Sequence, residues 1–286
     1  MSGSVLAATA PEISYSIPEF IPDRSLVELH ASPGKGKTTL LYQALAACAN
    51  GKPFMGKPVL QRPCVVLNYE NAAPAVKAMI ERIDGADRIL FLETPPQLDR
   101  PEWVKLKLMV QKLVNPLILV DTLASACVCS EIGSNGDFAP IMKRLIELRD
   151  LGATVVYLNH TLKQDASRFI GAQVIISQAD HVCSLTTNTD GTYRLGTSGK
   201  SRYGFFEWHL DFNSESRMFE LADDPDQQVV EEVKRLVGVQ AGVNFQGVLD
   251  AVSVSEKRLR AILGLYDGVH WRSETGSRNA RHYHPV

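Results

Sequence analysis

One octapeptide narrows the folds open to this chain more sharply than anything else in it. Ala31-Ser32-Pro33-Gly34-Lys35-Gly36-Lys37-Thr38 stands between a short apolar run, Leu26 to His30, and a run of good helix formers that starts at Thr39. A glycine-bearing turn between strand and helix aims successive backbone N–H groups at one point, where the helix dipole adds positive potential. The lysine adds a full charge, so the matching ligand is a phosphate group. Gly34 and Gly36 permit the backbone angles such a nest needs, and Ala31 takes the place of the commoner first glycine. In this reading Lys37 meets the β- and γ-phosphates, Thr38 ligates Mg²⁺, and residues 31–39 together hold the nucleotide.

The remaining pattern agrees with an α/β class. Cys64–Asn68, Arg88–Leu92, Leu117–Asp121 and Thr154–Leu158 have the length and the Val/Ile/Leu content of buried strands. Segments of helical spacing, Ala73–Ile83 and Phe138–Leu148, separate them, which predicts βαβ units and a mostly parallel sheet. After Asp180 the runs at 181–186, 192–195 and 205–210 lack intervening helices and read as antiparallel strands that finish the sheet. Residues 1–22 read as an extended arm suited to docking on a neighbour. The acidic, Pro-containing stretch 222–226 reads as a linker, so the main domain spans 23–222 and a small domain 227–286. The latter predicts three short helices, the third capped by Ser255, and a hairpin: the outline of a winged helix-turn-helix. Trp271 and Tyr283 read as its packing residues.

Composition excludes several classes. With 45% hydrophobic and 22% charged residues, a packed core is expected. A net charge of −2 argues against a uniformly basic nucleic-acid coat. No basic residue precedes Arg24 and no run reaches the roughly 18 apolar residues of a membrane span, so a cytoplasmic protein without a membrane partner is expected. Five cysteines without paired CxxC spacing fit reduced thiols, and Cys127-x-Cys129 lacks the second pair a metal site needs.

Further residues carry chemistry. Leu117-Ile-Leu-Val-Asp121 ends a buried strand in a carboxylate, which brings Asp121 to the edge where Mg²⁺ sits. Val65-Val-Leu-Asn-Tyr-Glu70 ends in Glu70 on the same edge, placed to orient or deprotonate water; the bland alternative is a cap for the following helix. Asn159-His160 ends a neighbouring strand, where His160 either senses the γ-phosphate or is structural.

The order of phosphate loop, strand-end Glu, LILVDT and VVYLNHTLK resembles the RecA-like ATPases of the plasmid RepA-type and DnaB-type hexameric helicases, over about residues 20 to 220. Relatives carry His-His-Thr where Asn159-His160-Thr161 stands, so His160 matches the second histidine. Arg168-Phe-Ile-Gly171 departs from their Arg-Gly-Ser segment. The resemblance implies ATP as the nucleotide, a ring homo-oligomer (a hexamer), and single-stranded DNA in a channel, with Lys163 and Arg168 as phosphate contacts. Lys200-Ser201-Arg202 matches the family's Lys-x-Arg segment, which implies that Arg202, with Lys200 beside it, reaches a neighbouring subunit's nucleotide; without the resemblance it reads as a basic turn.

From Ser253 to Val286 six Lys/Arg oppose three Asp/Glu. Lys257, Arg258, Arg260 and Arg278 are therefore candidate contacts to duplex DNA, against the alternative that the small domain binds protein. Two functions follow: a helicase or helicase-like replication factor, or an ATP-controlled DNA-binding regulator without unwinding.

Overall fold

The computed structural model describes residue 8 and residues 12–128, 135–162, 165–169, 173–188, 191–223, 226–276 and 280–286. The chain divides into two compact units, Met1–Ala222 and Asp223–Val286. Each is built around its own core.

The larger unit opens with a hairpin of β1 (Tyr15–Ile17) and β2 (Ile21–Pro22), which pair antiparallel. The expected arm is corrected here. Ile17, Phe20 and Ile21 are fully buried in this chain's own core, because an apolar hairpin gains more by covering its own sheet than by staying extended in water.

Then come β3 (Leu26–Ala31), β4 (Cys64–Asn68), β5 (Leu90–Leu92), β6 (Leu117–Asp121), β7 (Thr154–Leu162), β8 (Asp165–Phe169), β9 (His181–Thr187), β10 (Tyr193–Ser201), β11 (Glu207–Asn213) and β12 (Met218–Leu221). Their order is β12-β11-β10-β9-β3-β7-β6-β4-β5, with β8 paired to β7. The six strands from β9 to β5 are mutually parallel. The run at 181–186 is therefore parallel to β3, not antiparallel as expected; the helix Gln173–Gln178 makes the crossover. Strands β10 to β12 add antiparallel at the edge.

Alternate residues of the parallel strands enter two cores. Val27, Val66, Leu119 and Val156 pack on one face with the helix Lys37–Asn50. Val65, Leu67, Ile118, Val120 and Tyr157 pack on the other with the helices Trp103–Val110 and Asn135–Asp150. Covering both faces is what makes a parallel sheet stable, at about 1.5–3 kcal/mol per large apolar side chain. Cys48, Cys64 and Cys183 are free and buried. Cys127 is disulfide-bonded, which corrects the expectation of reduced thiols; it lies past β6, clear of the fully buried core.

The smaller unit holds the helices Gln227–Val239, Phe245–Ala251 and Glu256–Leu265 and a sheet of β13 (Val243–Asn244), β14 (Trp271–Thr275) and β15 (Arg281–Pro285) in the order β13-β15-β14. Ser255 caps the third helix by accepting a bond from Arg258 N–H at 3.3 Å. Trp271 and Tyr283 are buried, and the Trp271 indole donates to Leu263 O at 3.0 Å. Among the described residues, no helix is long and apolar enough to cross a membrane.

Candidate active site

The C-terminal edge of the parallel strands gathers the site. β3 runs into the glycine turn, in which Gly34 and Gly36 have φ of 75° and 85°, and the helix starts at Lys37 with Gly36 as its N-cap. No L side chain takes these angles without strain, so the two glycines allow the loop to fold over its own helix terminus. Lys37 is buried and donates from Nζ to Ala31 O at 2.8 Å and Ser32 O at 3.4 Å.

β6 delivers Asp121 beside that turn. Its Oδ2 accepts from Thr38 Oγ1 at 3.2 Å and from Asn71 Nδ2 at 3.1 Å, whereas buried Oδ1 has no hydrogen-bond partner. β4 pairs with β6 so that Asn68 stands opposite Asp121, and the chain continues through exposed Glu70. Gly34–Thr38, Glu70, Asn71, Asp121 and Thr122 enclose a cavity of about 190 Å³. The following helix, Ala73–Ile80, has Ala72 at its N-cap and no side-chain cap, so Glu70 does not serve as one.

Burial, more than pairing, sets the charge states. It pulls the Lys37 ammonium down to about 8, although Glu70 and Asp121 both oppose the shift. It pushes the Asp121 carboxyl up to about 6, with Glu70 adding to the rise and Thr38, Lys37 and Asn71 resisting it. An ammonium and a carboxylate that both lose charge affinity are poised for ligands that restore it: an anion for Lys37 and a cation for Asp121. The donor set fits Mg²⁺. The partnerless Oδ1 and the Thr38 hydroxyl are hard oxygen donors, and Mg²⁺ commonly takes one or two protein oxygens and completes its shell with water and phosphate. Asp121 and Thr38 would hold it, and when bound it neutralises charge on the phosphate oxygens.

His160 pairs with Ala31 in the parallel register of β3 and β7, which sets its backbone beside the first residue of the turn. The Asn159 amide points elsewhere, donating to buried Glu28 at 3.1 Å. Burial holds that carboxyl up near about 7, and burial with the Lys37 charge holds His30 down near about 4. Only the backbones of His160 and Arg168 belong to the described part, and Lys163 and Arg278 lie outside it.

Lys200 and Arg202 are not brought to this chain's own turn. β10 runs antiparallel to β9, so Ser201 pairs with His181 at the start of β9, on the sheet edge opposite the turn. There Arg202 contacts buried Asp180 at 2.8 Å and Lys200 Nζ donates to Ser177 O at 2.6 Å. Asp180 also accepts from Arg149 at 3.2 Å and from Leu26 N–H at 3.0 Å. In the smaller unit Arg258 is ion-paired with Asp226, and Arg260 pairs with Glu256 at 2.7 Å and lies 4.1 Å from the Phe245 ring.

Sequence reasoning missed Asn71. Asn68 Oδ1 accepts the Asn71 N–H at 3.0 Å and Asn68 Nδ2 donates to Asn71 O at 2.7 Å, a closed turn that fixes Asn71 against Asp121. The spacing Asn68-Tyr-Glu-Asn71 is the signal that was there to find, since Asn side chains build such turns.

A strand–turn–helix with an oxygen-lined cavity, on a sheet of this order, defines a RecA-like P-loop ATPase. The family model described as "AAA domain" matches residues 3–166, more than half of the chain, and the chain belongs to that family. The solved ATPase domain of a DnaB-like helicase shares the fold, with a TM-score of 0.58 and 13% sequence identity over 77% of this chain and 95% of that one. No curated protein matches the chain in sequence.

Proposed function

We propose that the protein is an Mg²⁺-dependent ATPase that works on DNA as a ring homo-oligomer, a hexamer, in the manner of a helicase or helicase-like replication factor of a plasmid or other mobile element. The observation that carries this reading is the separation of Arg202 from the phosphate turn of its own chain. A guanidinium on the far sheet edge can stabilise the transferred phosphoryl group only from a neighbouring copy, and a closed set of head-to-tail neighbours is a ring.

Within one site, Lys37 and the turn hold the phosphates, Thr38 and Asp121 hold the metal, Glu70 takes the proton of the attacking water, and His160 senses the γ-phosphate. The neighbour's Arg202 and Lys200 complete it. Lys163 and Arg168 would line the channel around single-stranded DNA.

The smaller unit supports a winged helix-turn-helix assignment by its three helices and β-hairpin. Lys257, Arg258, Arg260 and Arg278 would meet duplex phosphates. The pairs that Arg258 and Arg260 now make are on exposed side chains and are worth roughly 0.2–1 kcal/mol, little against a phosphate contact. This unit also favours a second reading, an ATP-controlled DNA-binding regulator without unwinding.

Turnover with and without single-stranded DNA, a fork-unwinding assay and the mass of the assembly separate the two. The helicase reading expects stimulated turnover, unwinding and a ring mass. Slow, unstimulated turnover with sequence-specific duplex binding supports the regulator, and a monomer with DNA-independent turnover contradicts the helicase.

A further inference from the structure

A second cavity, of about 340 Å³, opens off the same glycine turn. It shares Gly34, Lys35 and Gly36 with the catalytic cavity and is completed by Thr39, Arg82, Tyr193, Phe212, Arg217 and Phe219. Its size suits a nucleoside.

The three rings form one cluster. Tyr193 and Phe219 meet edge-on at 5.1 Å, Phe212 and Phe219 at 5.0 Å, and Tyr193 and Phe212 at 6.3 Å between centroids. The cluster is fixed to the phosphate turn in two ways. A Cβ on Gly36 would stand 2.7 Å from the Phe219 ring, so the turn lies directly against it. Gln43, on the helix that starts at the turn, clamps the Phe219 backbone, donating to its O at 3.1 Å and accepting from its N–H at 3.0 Å. Phe212, at 38% exposure, leaves ring surface open.

Two cations border the rings. Arg217 adopts φ of 56° in the turn between β11 and β12, a conformation that glycine would take without strain. Retaining arginine there points to a use for its side chain. Among the described residues neither Arg82 nor Arg217 has an ion-pair partner.

We propose that this cavity takes the base and ribose of the nucleotide, and that it holds the base by its ring face without selecting adenine. This deepens the ATPase reading and rests on the phosphate site proposed above. Recognition of the adenine amino group needs an acceptor, yet no Asn, Gln, Asp or Glu lines the cavity. Arginine can only donate, which suits guanine O6 and N7 at least as well as adenine N7. The hydroxyls of Thr39 and Tyr193 donate and accept alike and favour neither purine. Stacking on Phe212 accepts any base, because every base has a π-face.

The test is competition binding to the full-length protein with Mg²⁺, using ATP, GTP and tripolyphosphate as a baseless probe. ATP and GTP should bind within about threefold of one another. Phe212→Ala, on the open rim, should weaken both nucleotides about tenfold, within the range of base–aromatic stacking, and leave tripolyphosphate unchanged. Arg217→Gly, which also relieves the backbone, should weaken GTP more than ATP. Preference for ATP over GTP beyond about thirtyfold, the order of a real base-reading contact, overturns the proposal. So does a Phe212→Ala loss that tripolyphosphate shares. Failure of the wild type to bind tripolyphosphate or either nucleotide would overturn the phosphate site itself, and this proposal with it.

Discussion

Replacing Asp121 by Asn separates what the site does for stability from what it does for chemistry. The carboxyl is 1% exposed and its pKa rises from 3.8 to about 6, chiefly through burial. Because the folded value lies above the unfolded one, the folded chain binds this proton more tightly. Below pH ~4 both states are protonated and the group costs nothing; as pH rises through ~6 the folded state loses stability, and beyond that the cost is constant. A shift of about two units corresponds to about 3 kcal/mol at pH 8, and roughly half of that at pH 5. Asn mimics the protonated acid and can keep the bonds from Thr38 and Asn71, but its amide N–H₂ inherits the partnerless position of Oδ1, a fixed cost of about 1–3 kcal/mol. The fixed cost does not depend on pH. Urea unfolding in EDTA should therefore show the variant gaining about 1.5 kcal/mol on the wild type between pH 5 and pH 8. Glu28 and His30 titrate in both proteins and cancel. With Mg²⁺ and nucleotide added, only the wild type should be stabilised further. A stability difference that stays flat from pH 5 to pH 8 would sink this explanation, because it would mean that Lys37 and Thr38 compensate the carboxylate fully.

Three more substitutions probe the turn and its surroundings. Lys37→Ala removes the only charge the turn aims at the phosphates, so nucleotide affinity measured by calorimetry should fall at least about a hundredfold, on the order of a lost buried charge-assisted contact. Glu70→Gln should bind nucleotide normally and lose turnover by about 10²–10⁴-fold, the usual worth of a general base; unchanged turnover would remove Glu70 from the chemistry. Gly36→Ala forces a methyl group to within 2.7 Å of Phe219 at a φ of 85°, and thermal unfolding should show a loss of about 1–3 kcal/mol.

The local features of the site were legible in the sequence because local chemistry dictates them. Gly34, Gly36, Lys37 and Thr38 define a backbone turn within eight residues, and four apolar residues ahead of Asp121 place that acid at a strand end. Features that depend on distant partners were not. The pairing of β9 with β3 joins residues more than 150 positions apart through a helix of six residues, too short to show a helical period. Burial of Ile17 and Phe20 depends on a core that the rest of the sheet creates. Tyr193, Phe212 and Phe219 alternate with polar residues as any half-buried strands do, and only the sheet order brings them to the phosphate turn. The basic excess near the C-terminus was readable, but Asp226, which pairs with Arg258 from 32 residues away, was not part of that count.

If catalysis is completed across a subunit boundary, two inactive variants should rescue one another when mixed. Arg202→Ala spoils the contribution a subunit makes to its neighbour, and Glu70→Gln spoils the site in its own chain. In a mixed ring some sites combine an intact Glu70 from one subunit with an intact Arg202 from the next. ATP turnover, absent from either variant alone, should appear on mixing and be highest near equal proportions. No turnover at any ratio, in a mixture shown by mass to co-assemble, would rule out a site shared between subunits.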